Sequence, residues 1–269
     1  AVFVELRLRN VSRKTIQTHG LLDPASGFTQ IAITNPDGEK LPLLPPIHIN
    51  QRCAPQALAP GASIYQSVQL TVGKFGFHFK KPGPYRIEAC FTNHDGSQAA
   101  AVTQLWVRPA SFDDQRVITS LYDGRVARAL YFGGARKMED VNDKLEWCLA
   151  KLTKHHPARV YFTSCLASPL ARNWRSINSP AGKIDVLPAD HEQVENKLAP
   201  VMKDLDLLAD TLGHIKAREI SDIYVNSAVK AHKNKEARDV KKEMVGIFKK
   251  RKVIESVVKE MDAELKRLK

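Results

Sequence analysis

Apolar and polar side chains alternate with a period of two through the N-terminal part of the chain. In "PYRIEACF", Tyr85, Ile87, Ala89 and Phe91 share one face, and Arg86, Glu88 and Cys90 the other. That is the pattern of a strand with one buried side. Pro82, Gly83 and Pro84 supply a turn before it, "NHDG" at 93–96 a hairpin turn after it, and "AVTQLWV" at 101–107 its partner strand. Upstream, Val2, Val4, Leu6 and Leu8 alternate with Phe3, Glu5, Arg7 and Arg9, and "FTQIAIT" runs into the turn "NPDGEK". "PGASIYQSVQLTV" sets Ile64, Val68, Leu70 and Val72 on a face that only Gln66 interrupts. Short strands separated by Pro/Gly turns predict an antiparallel sandwich.

The period changes near Pro109. "DDQRVITSLYDGRVARALYF" carries Val117, Leu121, Val126, Leu130 and Tyr131 at helical spacing, with Ser111 or Asp113 as cap and Gly133–Gly134 as the break. "MEDVNDKLEWCLAKL" has an amphipathic stripe of Val141, Leu145, Cys148, Leu149 and Leu152, and "HHP" ends it. A third helix begins at "ARVYFTSCLASPLARNW". The lengths are similar to those of a tetratricopeptide-like solenoid, without a clean repeat. "SINSPAGKIDVLPAD" reads as loop, Asp190 as the cap of the next helix, and Pro200 as its kink or division. The rest is a long or twice-broken helical tract with a stripe through Val240, Met244, Ile247, Phe248, Ile254, Val258, Met261, Leu265 and Leu268. Such a stripe must bury itself against the bundle, another subunit or a partner.

The fold class expected is therefore multidomain α+β. An antiparallel immunoglobulin-like β-sandwich spans residues 1–109, and an all-α module of helical hairpins with basic C-terminal helices spans 110–269. The order "FVELRLRN", "PGASIYQSVQL", "KPGPYRIEACF" resembles the immunoglobulin-like modules of bacterial secreted and envelope proteins, over residues 1–108. Its last strand pair also resembles the small intracellular proteinase inhibitors of that fold. The resemblance implies a module that binds, spaces or displays and does no chemistry. One departure from the antibody pattern is that Tyr85 and Cys90 lie on opposite strand faces.

The four cysteines, Cys53, Cys90, Cys148 and Cys165, fall two and two across the expected boundary. That suits one disulfide per module in an oxidising compartment, and equally four thiols in a cytosol. A Cys53–Cys90 bridge would pin the "IHINQRCAPQ" loop outside the sheet. Cys148 and Cys165 are either a bridge between successive helices or two buried thiols. A secreted or periplasmic location is favoured over a cytoplasmic one. In "GKFGFHF" three Phe flank His78, as an exposed aromatic loop or as rings tucked into the core.

Net charge is +12, and between His214 and Lys269 there are 16 Lys and Arg against 9 Asp and Glu. Lys241, Lys242, Lys249, Lys250, Arg251 and Lys252 form the candidate anion-binding set, and "KKRK" at 249–252 resembles a nuclear address signal by composition alone. No run of 18 apolar residues exists, so no membrane-spanning helix is expected. Phosphate-loop, GxSxG, HExxH and GxGxxG patterns are absent, "YFGGAR" reads as a helix-breaking turn, and the adjacent imidazoles of "KHHP" diverge by about 100° on a helix. No metal, cofactor or enzymatic activity is expected. The leading reading is a non-enzymatic interaction protein that binds a protein partner, or its own copy, through the helical module. Nucleic-acid or other polyanion binding by the basic helices, and proteinase inhibition, are the alternatives.

Overall fold

The computed structural model describes residues 2–48, 54–177 and 184–268. The chain is mixed α+β, with antiparallel sheets mainly in its N-terminal half and helices in its C-terminal half. It divides into two compact units, 1–131 and 132–269. The element type changes at Pro109, but two helices beyond it belong to the first unit.

The strands of the first unit are β1 (Phe3–Arg9), β2 (Ile16–Thr18), β3 (Thr29–Thr34), β4 (Lys40–Pro42), β5 (Gln56–Leu58), β6 (Ser63–Gln69), β7 (Val72–Gly73), β8 (Gly76–Phe77), β9 (Gly83–Thr92) and β10 (Gln98–Val107). One sheet has the order β10-β9-β3-β4, while β1 pairs with β6, β2 with β5 and β7 with β8. The alternation seen in the sequence is the reason for the core. Tyr85 and Ile87 of β9 and Ile31 and Ile33 of β3 are buried together with Leu43, Val68 and Leu70, and Val4 and Leu6 of β1 pack against them. The β9–β10 hairpin closes through the 93–97 turn, where Asn93 N–H donates to the Ser97 carbonyl (2.8 Å) and Gly96 takes a φ of +80°. The turn entering β9 is tied by the Tyr85 hydroxyl, which donates to the Lys81 carbonyl at 3.0 Å.

The first helical pattern is corrected. It is two helices, α1 (Phe112–Leu121) and α2 (Gly124–Tyr131), because Asp123 ends one and caps the other, accepting from Arg125 N–H at 2.7 Å. Both readings of "GKFGFHF" hold for different rings. Phe79 meets Tyr85 edge-on at 4.9 Å and Phe77 meets Tyr122 edge-on at 5.2 Å, while Phe75 is 77% exposed.

The second unit contains α3 (Glu139–Lys151), α4 (Pro157–Ala167), β11 (Trp174–Ile177), β12 (Ile184–Leu187), α5 (His191–Leu198), α6 (Leu205–Lys230), α7 (Asn234–Lys250) and α8 (Glu255–Arg267). The all-α expectation is corrected by β11 and β12, which pair antiparallel, β11 running from the end of the tract expected as the third helix into the stretch expected as loop. Four-residue strands flanking a Pro/Gly segment are too short for their period to stand out. Asp190 caps α5, accepting from Gln193 N–H at 2.9 Å. Pro200 lies in the break before α6, whose cap is Asp204. Gly213 interrupts α6 with φ 76° and ψ 171°. The stripe of the last helices is satisfied within the chain: Met244, Phe248 and Met261 are buried with Leu208, Leu212, Ile220 and Tyr224 of α6.

Gly133 and Gly134 follow α2 with φ of +72° and +114°. A Cβ on Gly133 would meet nothing within 4 Å, whereas one on Gly134 would lie 1.8 Å from the Cys165 carbonyl oxygen. We therefore expect Gly133→Ala to cost about 1 kcal/mol, the backbone penalty alone. Gly134→Ala should cost more than about 2 kcal/mol, because α4 must move as well. Urea unfolding of both variants measures the difference, and equal losses would contradict the close approach.

Candidate functional site

The six candidate cations do not converge on one anion-facing patch. Lys241 is 3% exposed. Its Nζ lies 2.6 Å from Asp222 Oδ1 of α6 and 2.5 Å from Glu264 Oε2 of α8. Arg218 extends the network, reaching Glu260 and Glu264 at 3.0 Å each and Asp222 at 3.6 Å. Helical spacing builds it, since Arg218 and Asp222, and Glu260 and Glu264, each stand four residues apart on one face. Lys241 is thus corrected from surface cation to interior tie, because a buried lysine needs carboxylate partners.

Arg251 is also engaged. It contacts Asp206 Oδ1 and Asp210 Oδ1 at 2.7 Å each and donates to the Asp206 carbonyl at 3.1 Å. Those hydrogen bonds raise the Arg251 guanidinium and lower the Asp206 carboxyl from their ordinary values. Lys249 pairs with Asp262 at 2.8 Å. Lys242, Lys250 and Lys252 are exposed.

The concave site of the second unit lies elsewhere. A cleft of about 940 Å³ opens among α3, α4, α5 and the start of α6. The α3–α4 connection brings Lys154 and His155 to it, α4 brings Arg159, α5 brings Lys197, and the α5–α6 connection brings Lys203. Some of these charges are occupied. Arg159 donates to the Leu149 and Leu152 carbonyls at the end of α3, Lys197 holds Glu146 at 2.6 Å, and Asp204 caps α6 at Leu207 N–H (2.9 Å). Lys154, His155 and Lys203 are exposed and hold no side-chain partner among the described residues. His156 Nδ1 accepts from Ala158 N–H at 3.1 Å, so α4 is opened by an imidazole rather than a carboxylate. The amino end of a helix favours negative charge. "KHHP" was legible as two histidines unable to chelate together, but its place before α4, lining the same cleft as Lys203, is decided by packing.

The cysteine expectation divides. Cys53 lies outside the described residues. Cys90, Cys148 and Cys165 form no disulfide, so no bridge joins the helical pair, and Cys148 and Cys165 are two buried thiols, as the rival reading has them. Burial pushes the Cys165 thiol up to about 12, against a hydrogen bond with Tyr161 that lowers it. It is protonated at neutral pH, the state in which a thiol is a poor nucleophile. In the first unit the His19 ring stacks on Phe28 (3.4 Å) and meets His94 at a tilt (3.3 Å), and burial, then His94, lowers its pKa. Among the described residues no three His, Cys, Asp or Glu side chains are grouped to hold a metal. No described helix is long and apolar enough to cross a membrane.

Comparison with protein-family models, with curated proteins and with solved structures returns no match.

The network has a pH signature. Burial opposes the Glu264 charge, but Lys241 and then Arg218 outweigh it and hold its carboxyl below the ordinary 4.5. A carboxyl depressed by folding adds stability above its unfolded value and loses it as pH falls through the folded one. The unfolding free energy should therefore decline below about pH 4.5, and Glu264→Gln should flatten that decline while lowering stability at pH 7. Lys241→Met should cost about 1–2 kcal/mol at pH 7, since its acids stay partly hydrated and keep Arg218. Denaturant titrations from pH 3 to 7 read both, and an unchanged pH slope in Glu264→Gln would remove the network from the account.

Proposed function

We propose that this protein is a non-enzymatic binding protein whose helical unit takes an acidic segment of a partner protein into the α3–α6 cleft. The first unit, in this reading, is an immunoglobulin-like sandwich module that displays or spaces the binding unit. The observation that carries the reading is the presence of Lys154, His155 and Lys203, none holding a side-chain partner among the described residues, at one concavity of about 940 Å³. Cations at a concave surface focus potential and steer anionic partners. The C-terminal helices contribute less than their composition implies, because Lys241, Lys249 and Arg251 already hold carboxylates of the same chain. The apolar stripe is covered within the chain, α7 packing on α6 and α8 on α7, so a partner is not required to cover it.

The test uses a fluorescent poly-glutamate peptide and a single-stranded oligonucleotide of equal length, each titrated at low and high salt. Peptide binding should weaken as salt rises and drop at least about tenfold in Lys154→Glu/Lys203→Glu. Unchanged peptide binding in that variant would overturn the cleft reading. Oligonucleotide binding lost only in Lys242→Glu/Lys250→Glu/Lys252→Glu would move the working surface to the end of α7 and make nucleic acid the partner.

A further inference from the structure

Strand β10 is an edge of the four-stranded sheet, and it lacks the features that keep edges apart. It pairs with β9 over its whole length from Gln98↔Thr92 to Val107↔Gly83 without a bulge, and no described residue pairs with its outer side. Its sequence, "QAAAVTQLWV", holds no charged residue and no proline. The opposite edge differs: β4 is three residues long and carries Lys40 and Pro42. Short length, lysine and proline are the ordinary protections against strand addition. β10 is also open on both faces over most of its length: Ala99, Ala101 and Thr103 are exposed on one and Ala100, Val102, Gln104 and Trp106 on the other, while Leu105 and Val107 are half-buried.

We propose that β10 is a self-association edge, at which two copies of this chain pair antiparallel about a two-fold axis through Thr103. The strand is complementary to its own reverse. Its first half is small and its second half large, so this register sets Ala99, Ala100 and Ala101 of one copy against Val107, Trp106 and Leu105 of the other. Residues directly opposite share a face at about 4.5–5.5 Å between Cβ atoms, close enough for a small side chain to seat a large one. An axis normal to the sheet keeps the core sides of both copies together. Ala99 and Ala101, whose neighbours on β9 are the buried Phe91 and partly buried Ala89, then meet Val107 and Leu105 of the second copy. The strand ends agree in charge as well. Antiparallel pairing brings Arg108 of one copy beside the 93–97 turn of the other, which carries Asp95. Hydrogen bonds from the Ser97 hydroxyl and then its N–H lower the Asp95 carboxyl from its ordinary value. A different neutral strand would find the same backbone groups, but not the small-to-large match or the paired ends. The proposal rests on the first unit alone and is independent of the cleft in the second.

The test is sedimentation equilibrium of the full chain over roughly 1 to 100 µM, the range in which strand-edge dimers of modest area associate. The wild type should be a monomer–dimer system. Thr103→Lys and Thr103→Glu each place like charges opposite one another at the axis and should raise the dissociation constant at least about tenfold. An equimolar mixture of the two should restore dimer as the heteropair, which a merely misfolded variant would not do. A wild type that stays monomeric at 100 µM, a dimer that persists in both variants, or a mixture that fails to associate would each overturn the proposal.

Discussion

The second unit depends on one constraint: a lysine buried to 3% exposure must be held by acids from two other elements. Lys241 lies on α7, Asp222 on α6 and Glu264 on α8, so one side chain fixes three helices against each other. Hydrophobic burial of Met244, Phe248 and Met261 supplies the non-directional part of that packing. The carboxylates supply direction, because an ammonium displaced from them would lie unpaired in the core. Arg218 binds the same acids from the outer side and limits how far either can turn away.

This arrangement redistributes the positive charge. The C-terminal fifth is rich in lysine and arginine, yet much of that charge is spent within the helices that carry it. Arg251 joins the turn after α7 to the first part of α6 through Asp206 and Asp210, and Lys249 joins the end of α7 to α8 through Asp262. What stays open to an anion is set by where carboxylates are missing. In the cleft the polar groups are divided between structural duties, such as Arg159 on the carbonyls of α3, and cations with no side-chain partner among the described residues, Lys154 and Lys203. In the proposed binding surface, gathering like charges would cost stability until an anion arrives.

In the first unit the contrast between the two sheet edges follows the same logic. β4 closes its edge by being short and by carrying lysine and proline. β10 has a complete row of backbone groups and a neutral, partly apolar sequence. Its pairing with β9 explains why it is ordered. Nothing in the core explains its outward composition, because Ala99 through Gln104 are exposed.

The strand alternation around Tyr85 and Ile87, the hairpin turn at 93–96, the caps at Asp190 and before α1, and the stripe through Met244 and Met261 were all legible in the chain. Each follows from local chemistry: side-chain period, turn residues, or a carboxylate or hydroxyl placed to accept N–H groups. The break at Asp123 and the β11–β12 hairpin were not legible, since a cap inside a helical pattern and four-residue strands give too little signal. Charge was the least legible property. Lys241 and Lys242 are neighbours in sequence and alike in chemistry, yet one is interior and the other exposed. Sequence alone determined that cations are abundant and where the helical and strand periods run. Only the tertiary structure decided which cations meet carboxylates and which face open space, because a 100° step along a helix separates the two outcomes.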